Sequence, residues 1–197
     1  MTLRQTLLKF IYPIWMFGNK LIGRKSKFFE NRAKLPPQKS FYDLHLQLND
    51  GTELNLDSFR GKKVLLVNTA SDCGYTNQYH DLQKLFDEEK QKLVIIGFPA
   101  NDFKNQEQGN DSEIAAFCKK NFSVSFPLAA KSRVKKGPNQ NPVFSWLTDK
   151  AKNGWTNKQP SWNFSKWLVN EEGILTHYFD PSVSPLSEEV RQAVKKN

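Results

Sequence analysis

The stretch Lys63-Val-Leu-Leu-Val-Asn-Thr-Ala-Ser-Asp-Cys-Gly-Tyr-Thr76 decides how the chain folds. Lys63–Asn68 is a continuous apolar run bounded by charge and loop residues, the pattern of a central strand covered on both faces. A polar loop holding Cys73 follows. After it come about 14 residues with Tyr79, Leu82, Leu85 and Phe86 on one helical face. Leu93-Val-Ile-Ile-Gly-Phe98 reads as a second buried strand, so the centre of the chain is a strand–helix–strand unit.

The flanking segments extend this unit into one domain. Leu44, Leu46 and Leu48 alternate with polar residues up to the turn Asn49-Asp50-Gly51, and Leu54 and Leu56 resume the alternation, which predicts a β-hairpin. A helix is expected from near Asp111, with Asp111 and Ser112 as caps and Ile114, Phe117 and Cys118 on one face. A short strand over Phe126–Lys131 and a helix over Pro142–Lys152 come next. Asn163–Val169 and Ile174–Phe179 read as a hairpin around Asn170-Glu-Glu-Gly173, and a last helix covers Leu186–Lys196. The expected class is α/β, a mixed central sheet flanked by helices with an N-terminal β-hairpin.

Composition agrees and excludes other classes. The 197 residues suffice for one hydrophobic core, and 38% apolar with 13% aromatic residues suit a packed globule. Two cysteines exclude a disulfide-stapled miniprotein and an all-cysteine metal site. The net charge of +9 sits almost wholly in residues 1–39, which hold nine basic side chains against Glu30 alone. Residues 40–197 are close to neutral, so the folded surface lacks the basic patch of a nucleic-acid-binding domain.

Residues 1–39 therefore read as a separate unit, a basic and apolar segment with a linker, ahead of a domain over 40–197. Phe-Ile-Tyr-Pro-Ile-Trp-Met-Phe-Gly-Asn at 10–19 is uncharged, with Lys9 and Lys20 at its ends. Three readings of it stay open. Residues 1–35 would make an interfacial membrane anchor, aromatic rings at the headgroup boundary and cations on anionic lipid. A secretory signal is the second, although no small-x-small cleavage site follows Gly18. The third is an extension packed on its own domain or on a partner. The apolar run is short for a spanning helix and Pro13 interrupts it. A cytoplasmic or membrane-associated location is favoured, with a secreted or periplasmic one left open.

Chemistry concentrates after the first buried strand. Cys73 falls at or beside a helix N-terminus, where unpaired N–H groups favour a thiolate, the form that attacks electrophiles. The competing reading is a small buried residue packing the turn. Cys73-Gly74-Tyr75-Thr76 is not Cys-x-x-Cys, which argues against a dithiol disulfide reductase.

Asn68-Thr-Ala-Ser-Asp-Cys73-Gly-Tyr-Thr-Asn-Gln-Tyr79 resembles the active-site segment of the glutathione peroxidase family in its cysteine, non-selenium form. Gly97–Gly109, Phe117–Phe122 with Phe126-Pro127, and Ser161–Val169 agree in order and spacing, so the resemblance covers about residues 40–195. It implies a thioredoxin-like fold and reduction of hydrogen peroxide and organic or lipid hydroperoxides, with Cys73 as the peroxidatic residue. It also implies that Gln106, Trp162 and Asn163 complete the site. Their amide and indole N–H groups would hold the thiolate and the charge that builds on the leaving oxygen. Attack would leave a sulfenic acid on Cys73. No cofactor and no metal are required, and the reductant would be thioredoxin or glutathione. Trp162 and Asn163, adjacent on a strand, would point opposite ways.

Cys118, 45 residues after Cys73, matches the resolving cysteine of thioredoxin-dependent members. It would close an intramolecular disulfide after its helix unwinds, with Lys119 and Lys120 favouring the exposed thiolate. Its other reading is core, beside Ile114 and Phe117. Ala100, Asn77, Gln108 and Asp102 depart from the usual family residues, and a carboxylate at Asp102 would raise the Cys73 pKa. The stretch between Val134 and Trp162 is too short for the oligomerisation loop of tetrameric relatives, so a monomer with an open site is expected. His45, His80 and His177 have no metal-ligand spacing. A peroxide-sensing relay that passes oxidation to a partner remains the alternative function, with a membrane-surface protein of degenerate site behind it.

Overall fold

The computed structural model describes residues 28–196. Strand β4 (Lys63–Thr69) is buried at every position, as its unbroken apolar run requires, and pairs in parallel with β5 (Leu93–Pro99). On its other side β4 meets β6 (Lys166–Val169) antiparallel, and β6 meets β7 (Leu175–Phe179) antiparallel. Strand β1 (Phe28–Glu30) adds to the outside of β7, giving the order β1-β7-β6-β4-β5. The expected N-terminal hairpin forms from β2 (His45–Gln47) and β3 (Glu53–Asn55), turning through Gly51 at φ +86°.

Alternation along the strands sorts side chains into two cores. Leu65 and Val67 face helices α1 (Gln78–Glu89), α2 (Asp111–Phe122) and α5 (Glu188–Lys195) through Leu82, Ile114, Phe122, Val190 and Val194. Val64 and Leu66 face the hairpin and the short helix α3 (Pro142–Leu147), meeting Leu46, Phe144 and Trp146. The mixed sheet is thus covered on both faces.

Three local expectations change. The helix expected over Pro142–Lys152 is two, α3 and α4 (Lys150–Asn153), because Asp149 leaves the helical region and caps the second by accepting from the Ala151 N–H. Phe126–Lys131 forms no full strand; it makes single bridges, Leu128 to Gly97 and Ala129 to Leu48. The cap of α2 is Asn110 in a reciprocal capping box with Glu113, not Asp111 or Ser112. Helix α1 begins at Gln78, and Cys73 stands in the loop before it, as expected.

The segment 28–39 is tied to the domain. Asn31 is buried and its side chain bonds the Leu175 carbonyl at 3.0 Å, while the Gln38 and Lys39 N–H groups reach the Lys152 carbonyl at 2.8 and 3.0 Å. Gly154 (φ +79°) lies so close beneath the Pro36 carbonyl that a side chain would collide with it. The signal reading, and the anchor reading of residues 1–35 except for residues 28–35, lie outside the described residues. Among the described residues no helix is long and apolar enough to cross a membrane.

Candidate active site

The loop after β4 is clipped into shape by one threonine. Thr76 Oγ1 donates to the Ala70 carbonyl at 2.8 Å and accepts from the Cys73 N–H at 3.0 Å, and the Thr76 N–H returns to the Cys73 carbonyl at 3.0 Å. The closed turn leaves the Tyr75 N–H aimed at Cys73 Sγ, 3.4 Å away. Cys73 is 1% exposed. Burial raises its pKa above the ordinary thiol value; the Tyr75 N–H and the side chains of Trp162 and Asn163 pull the other way, and the Asp72 charge adds to the rise. The carboxylate that acts on Cys73 is therefore Asp72. Asp102 instead accepts the Val134 N–H at 2.6 Å and pairs with Arg133 at 3.9 Å.

Trp162 and Asn163 precede β6 in a tight turn, so strand alternation does not apply and both side chains reach Cys73. Asn68, near the end of β4, holds that turn. Its Nδ2 donates to the Trp162 carbonyl at 3.0 Å, and its own carbonyl accepts the Phe164 N–H at 2.6 Å. Phe164 takes φ +67°, and buried Lys166 secures it, with Nζ donating to the Phe164 carbonyl at 2.6 Å and to Gln78 Oε1 at 2.9 Å. Lys166 thus ties the turn carrying Trp162 and Asn163 to the helix that follows Cys73. Full burial lowers its pKa to about 7, with the Asp180 and Asp81 charges opposing the drop.

Gln106 arrives from the third side. Lys104 and Asn105 both sit at φ +52°, reversing the chain after β5. The Asp72 N–H then bonds the Gln106 carbonyl, and Gln106 Oε1 accepts from Asn163 Nδ2, each at 3.0 Å. Gln106 joins the cluster through Asn163. The Asn163 Oδ1 is buried with no hydrogen-bond partner. The structure brings together Cys73, Gln106, Trp162 and Asn163, residues spread over 91 positions of sequence.

Cys118 is not part of this cluster. It faces the core from α2, 1% exposed, and burial pushes its thiol up to about 12. Its polar neighbours are the Tyr79 hydroxyl, which favours the thiolate, and the Glu107 carboxyl, which opposes it. Lys119 and Lys120 are exposed and do not offset the burial. Tyr79 packs on Phe122 and Phe164 at 5.3 and 5.4 Å, and its hydroxyl approaches Cys118 and Thr69 without a well-formed hydrogen bond. Both cysteines are free thiols.

Sequence reasoning missed three supports. Glu107 is buried, accepts from the Ser71 hydroxyl at 3.0 Å and has its pKa raised to about 7 by desolvation. Asn68 and Lys166 hold the Trp162–Phe164 turn. A lysine entering an apolar strand, Lys166-Trp-Leu-Val169, was the one signal available. Of the histidines, His45 lies beside Glu53, His80 packs on Phe122, and His177 stacks on Phe179 with its pKa lowered by burial to about 4. Among the described residues no group of three or more His, Cys, Asp or Glu could hold a metal.

The sequence matches the glutathione peroxidase family over residues 41–148. A glutathione peroxidase homolog BsaA from Staphylococcus epidermidis is 43% identical over 159 residues, 80% of this chain and 98% of that protein. The chain belongs to the glutathione peroxidase family. The glutathione peroxidase-like peroxiredoxin gpx1 of Schizosaccharomyces pombe is 46% identical over 146 residues, 74% of this chain and 91% of that one. The crystal structure of Trgpx in apo form superposes with a TM-score of 0.61 at 29% identity, covering 81% of this chain and 97% of that chain. The fold of this glutathione peroxidase is the thioredoxin-like one, and the protein is a peroxidase, an oxidoreductase. The family generally uses no prosthetic group, and it implies a peroxide substrate with glutathione or thioredoxin as reductant.

Proposed function

We propose that this glutathione peroxidase family member works as a two-thiol, monomeric peroxidase on hydrogen peroxide and organic hydroperoxides, with Cys73 as nucleophile and a thioredoxin-type dithiol as reductant. The observation that carries this is the convergence of the Tyr75 N–H and the Trp162 and Asn163 side chains on one buried thiol. The Cys73 thiolate attacks the terminal oxygen of R–O–O–H; the S–O bond forms as the O–O bond breaks, leaving Cys73 sulfenic acid and an alkoxide that takes a proton to become the alcohol. The same donors stabilise the charge that builds on the leaving oxygen. The unpartnered Asn163 Oδ1 supplies an acceptor for the hydroperoxide O–H.

Cys118 then displaces hydroxide from the Cys73 sulfenic acid, giving a Cys73–Cys118 disulfide and water once the thiol proton has moved to the leaving oxygen. A dithiol reduces that bond by exchange. Burial of Cys118 requires α2 to open first. The same burial favours a second reading, a relay in which the sulfenic acid outlives the opening of α2 and is taken by a partner thiol.

Non-reducing peptide mapping after one equivalent of peroxide, beside turnover with thioredoxin, tests both. A Cys73–Cys118 disulfide, with turnover lost in Cys118→Ser while one equivalent is still reduced, supports the two-thiol cycle. Oxidation of Cys73 with Cys118 still free moves the reading to the relay. An unoxidised Cys73 refutes it.

A further inference from the structure

Lys166 stands where an apolar side chain would be expected. Its partners across β6 are Val67 on β4 and Phe179 on β7, both in the core beneath α1 and α5, and Leu168 follows it on the same face. The side chain is fully buried there. Two acceptors lie within hydrogen-bond distance of Nζ, the Phe164 carbonyl at 2.6 Å and Gln78 Oε1 at 2.9 Å. That number matches the two N–H groups of a neutral amine, the form that burial favours. The acids facing Nζ, Asp81 on α1 and Asp180 after β7, act on it through charge and take hydroxyl protons from Ser184 at 2.9 Å and Ser161 at 3.0 Å. An amine among apolar neighbours costs stability that a well-packed apolar residue would not, so the fold alone does not account for it.

The two acceptors lead to opposite sides of Cys73. Gln78, the first residue of α1, is wholly buried, and its Nε2 donates to the Pro181 carbonyl at 2.7 Å, which turns Oε1 toward Lys166. The Gln78 backbone N–H bonds the Tyr75 carbonyl at 2.8 Å, and the Tyr75 N–H is the donor 3.4 Å from Cys73 Sγ. On the other branch, Phe164 completes the turn whose Trp162 and Asn163 side chains act on the same sulfur. A non-glycine residue at φ +67° holds only where its surroundings fix it. Asn68 fixes that turn to β4, and Lys166 bonds it to α1. A continuous hydrogen-bonded path therefore runs from the turn, through one amine, to the donor beside the thiol.

We propose that Lys166 is a positioning residue for the thiol centre: its two hydrogen bonds set the Tyr75 N–H against the Trp162 and Asn163 donors, and so set the acidity of Cys73. Its effect on turnover rests on the peroxidase reading above; its effect on acidity does not. Alkylation of Cys73 by iodoacetamide from pH 6 to 10, read by peptide mass spectrometry, gives the apparent pKa of the thiol in the full-length protein. Reduction of one equivalent of tert-butyl hydroperoxide gives the peroxide rate. In Lys166→Met the apparent pKa should rise by about one pH unit, and the peroxide rate at pH 7 should fall about tenfold with the thiolate fraction. Gln78→Leu, which keeps the lysine, should move both the same way, and adding it to Lys166→Met should change little more, since both cut one path. Leu93→Ala, a core truncation at the end of β5 beside Lys63, should lower Tm and move neither. An unshifted Cys73 in folded Lys166→Met overturns the proposal and leaves the lysine a structural tie. A shift in Lys166→Met without one in Gln78→Leu also overturns it, because charge acting at a distance would then be the cause. An equal shift in Leu93→Ala overturns it in favour of general loosening. If Lys166→Met does not fold, Gln78→Leu decides by the same reading, an unshifted thiol refuting the proposal. A wild-type Cys73 that alkylates but is untouched by peroxide refutes the peroxidase reading, while the alkylation profiles still judge Lys166.

Discussion

Replacing Lys166 by Met should change how stability depends on pH, by an amount the structure allows to be worked out. Lys166 is fully buried and its pKa is lowered to about 7 from 10.5. Between those values the unfolded chain binds a proton that the folded protein does not, so stability rises with pH across this window. From pH 7.5 to 8.5 the difference averages about 0.9 proton, and at about 1.36 kcal/mol per proton and pH unit it adds about 1.2 kcal/mol. Methionine has a similar unbranched shape and no charge, so Lys166→Met should lack this slope. Its absolute stability shifts too, since the Phe164 carbonyl and Gln78 Oε1 lose a donor while a buried, mostly neutral amine is replaced by an apolar side chain. The slope is independent of that offset. Urea unfolding followed by circular dichroism at pH 7.5 and 8.5, under reducing conditions, measures it. Groups shared by the two proteins, the raised thiols among them, cancel in the comparison. Equal slopes would refute the reasoning, because Lys166 would then titrate alike folded and unfolded.

Trp162→Phe keeps an aromatic ring but removes the indole N–H that favours the Cys73 thiolate; a bond to a charged group is worth about 1.5–3 kcal/mol, so alkylation of Cys73 by iodoacetamide at pH 7 should slow at least about tenfold. An unchanged rate would show that the indole does not act on the sulfur. Glu107→Gln should remove a pH dependence of the opposite sign: its raised pKa means that native stability falls by about 2 kcal/mol from pH 5 to 7, a loss the variant escapes in the same urea measurement. The depressed His177 works against this loss in both proteins and cancels. Gly154→Ala forces a side chain into the left-handed region, about 1–2 kcal/mol, and pushes Pro36 away. It should lower Tm and speed hydrogen exchange at Gln38 and Lys39, whose N–H groups bond the Lys152 carbonyl beside it; native exchange at those two amides would count against the contact.

What could be read from the sequence followed the range of each interaction. Strands β4 and β5 and helix α1 announce themselves because burial of a whole strand, or of one helical stripe, is written in consecutive residues. Cys73 stood out for the same local reason, a thiol in the loop between strand and helix. Gln106, Trp162 and Asn163 were reached only through the family resemblance: the bond joining Asn163 to Gln106 spans 57 residues, and no periodicity encodes it. Strand β1 went unseen because Phe28-Phe29-Glu30 is three residues long and becomes a strand by lying on β7, a tertiary effect. Glu107 and Lys166 look like surface charges in a linear reading; only the packed structure shows them inside, each satisfied by hydrogen bonds from or to neighbours.

Strand β1 also closes one edge of the central sheet. Strand β7 runs for five residues, and β1 covers the row of backbone donors and acceptors along its outer side at Phe179, Tyr178 and His177. A chain shortened to the segment that matches the family, starting near residue 41, would leave that row open beside the uncovered Phe179 and Tyr178 rings. An exposed, aromatic strand edge invites a second chain to pair with it, the first step of aggregation. Cutting before Phe28 would spare the sheet, whereas cutting after Glu30 would leave a domain prone to self-assembly.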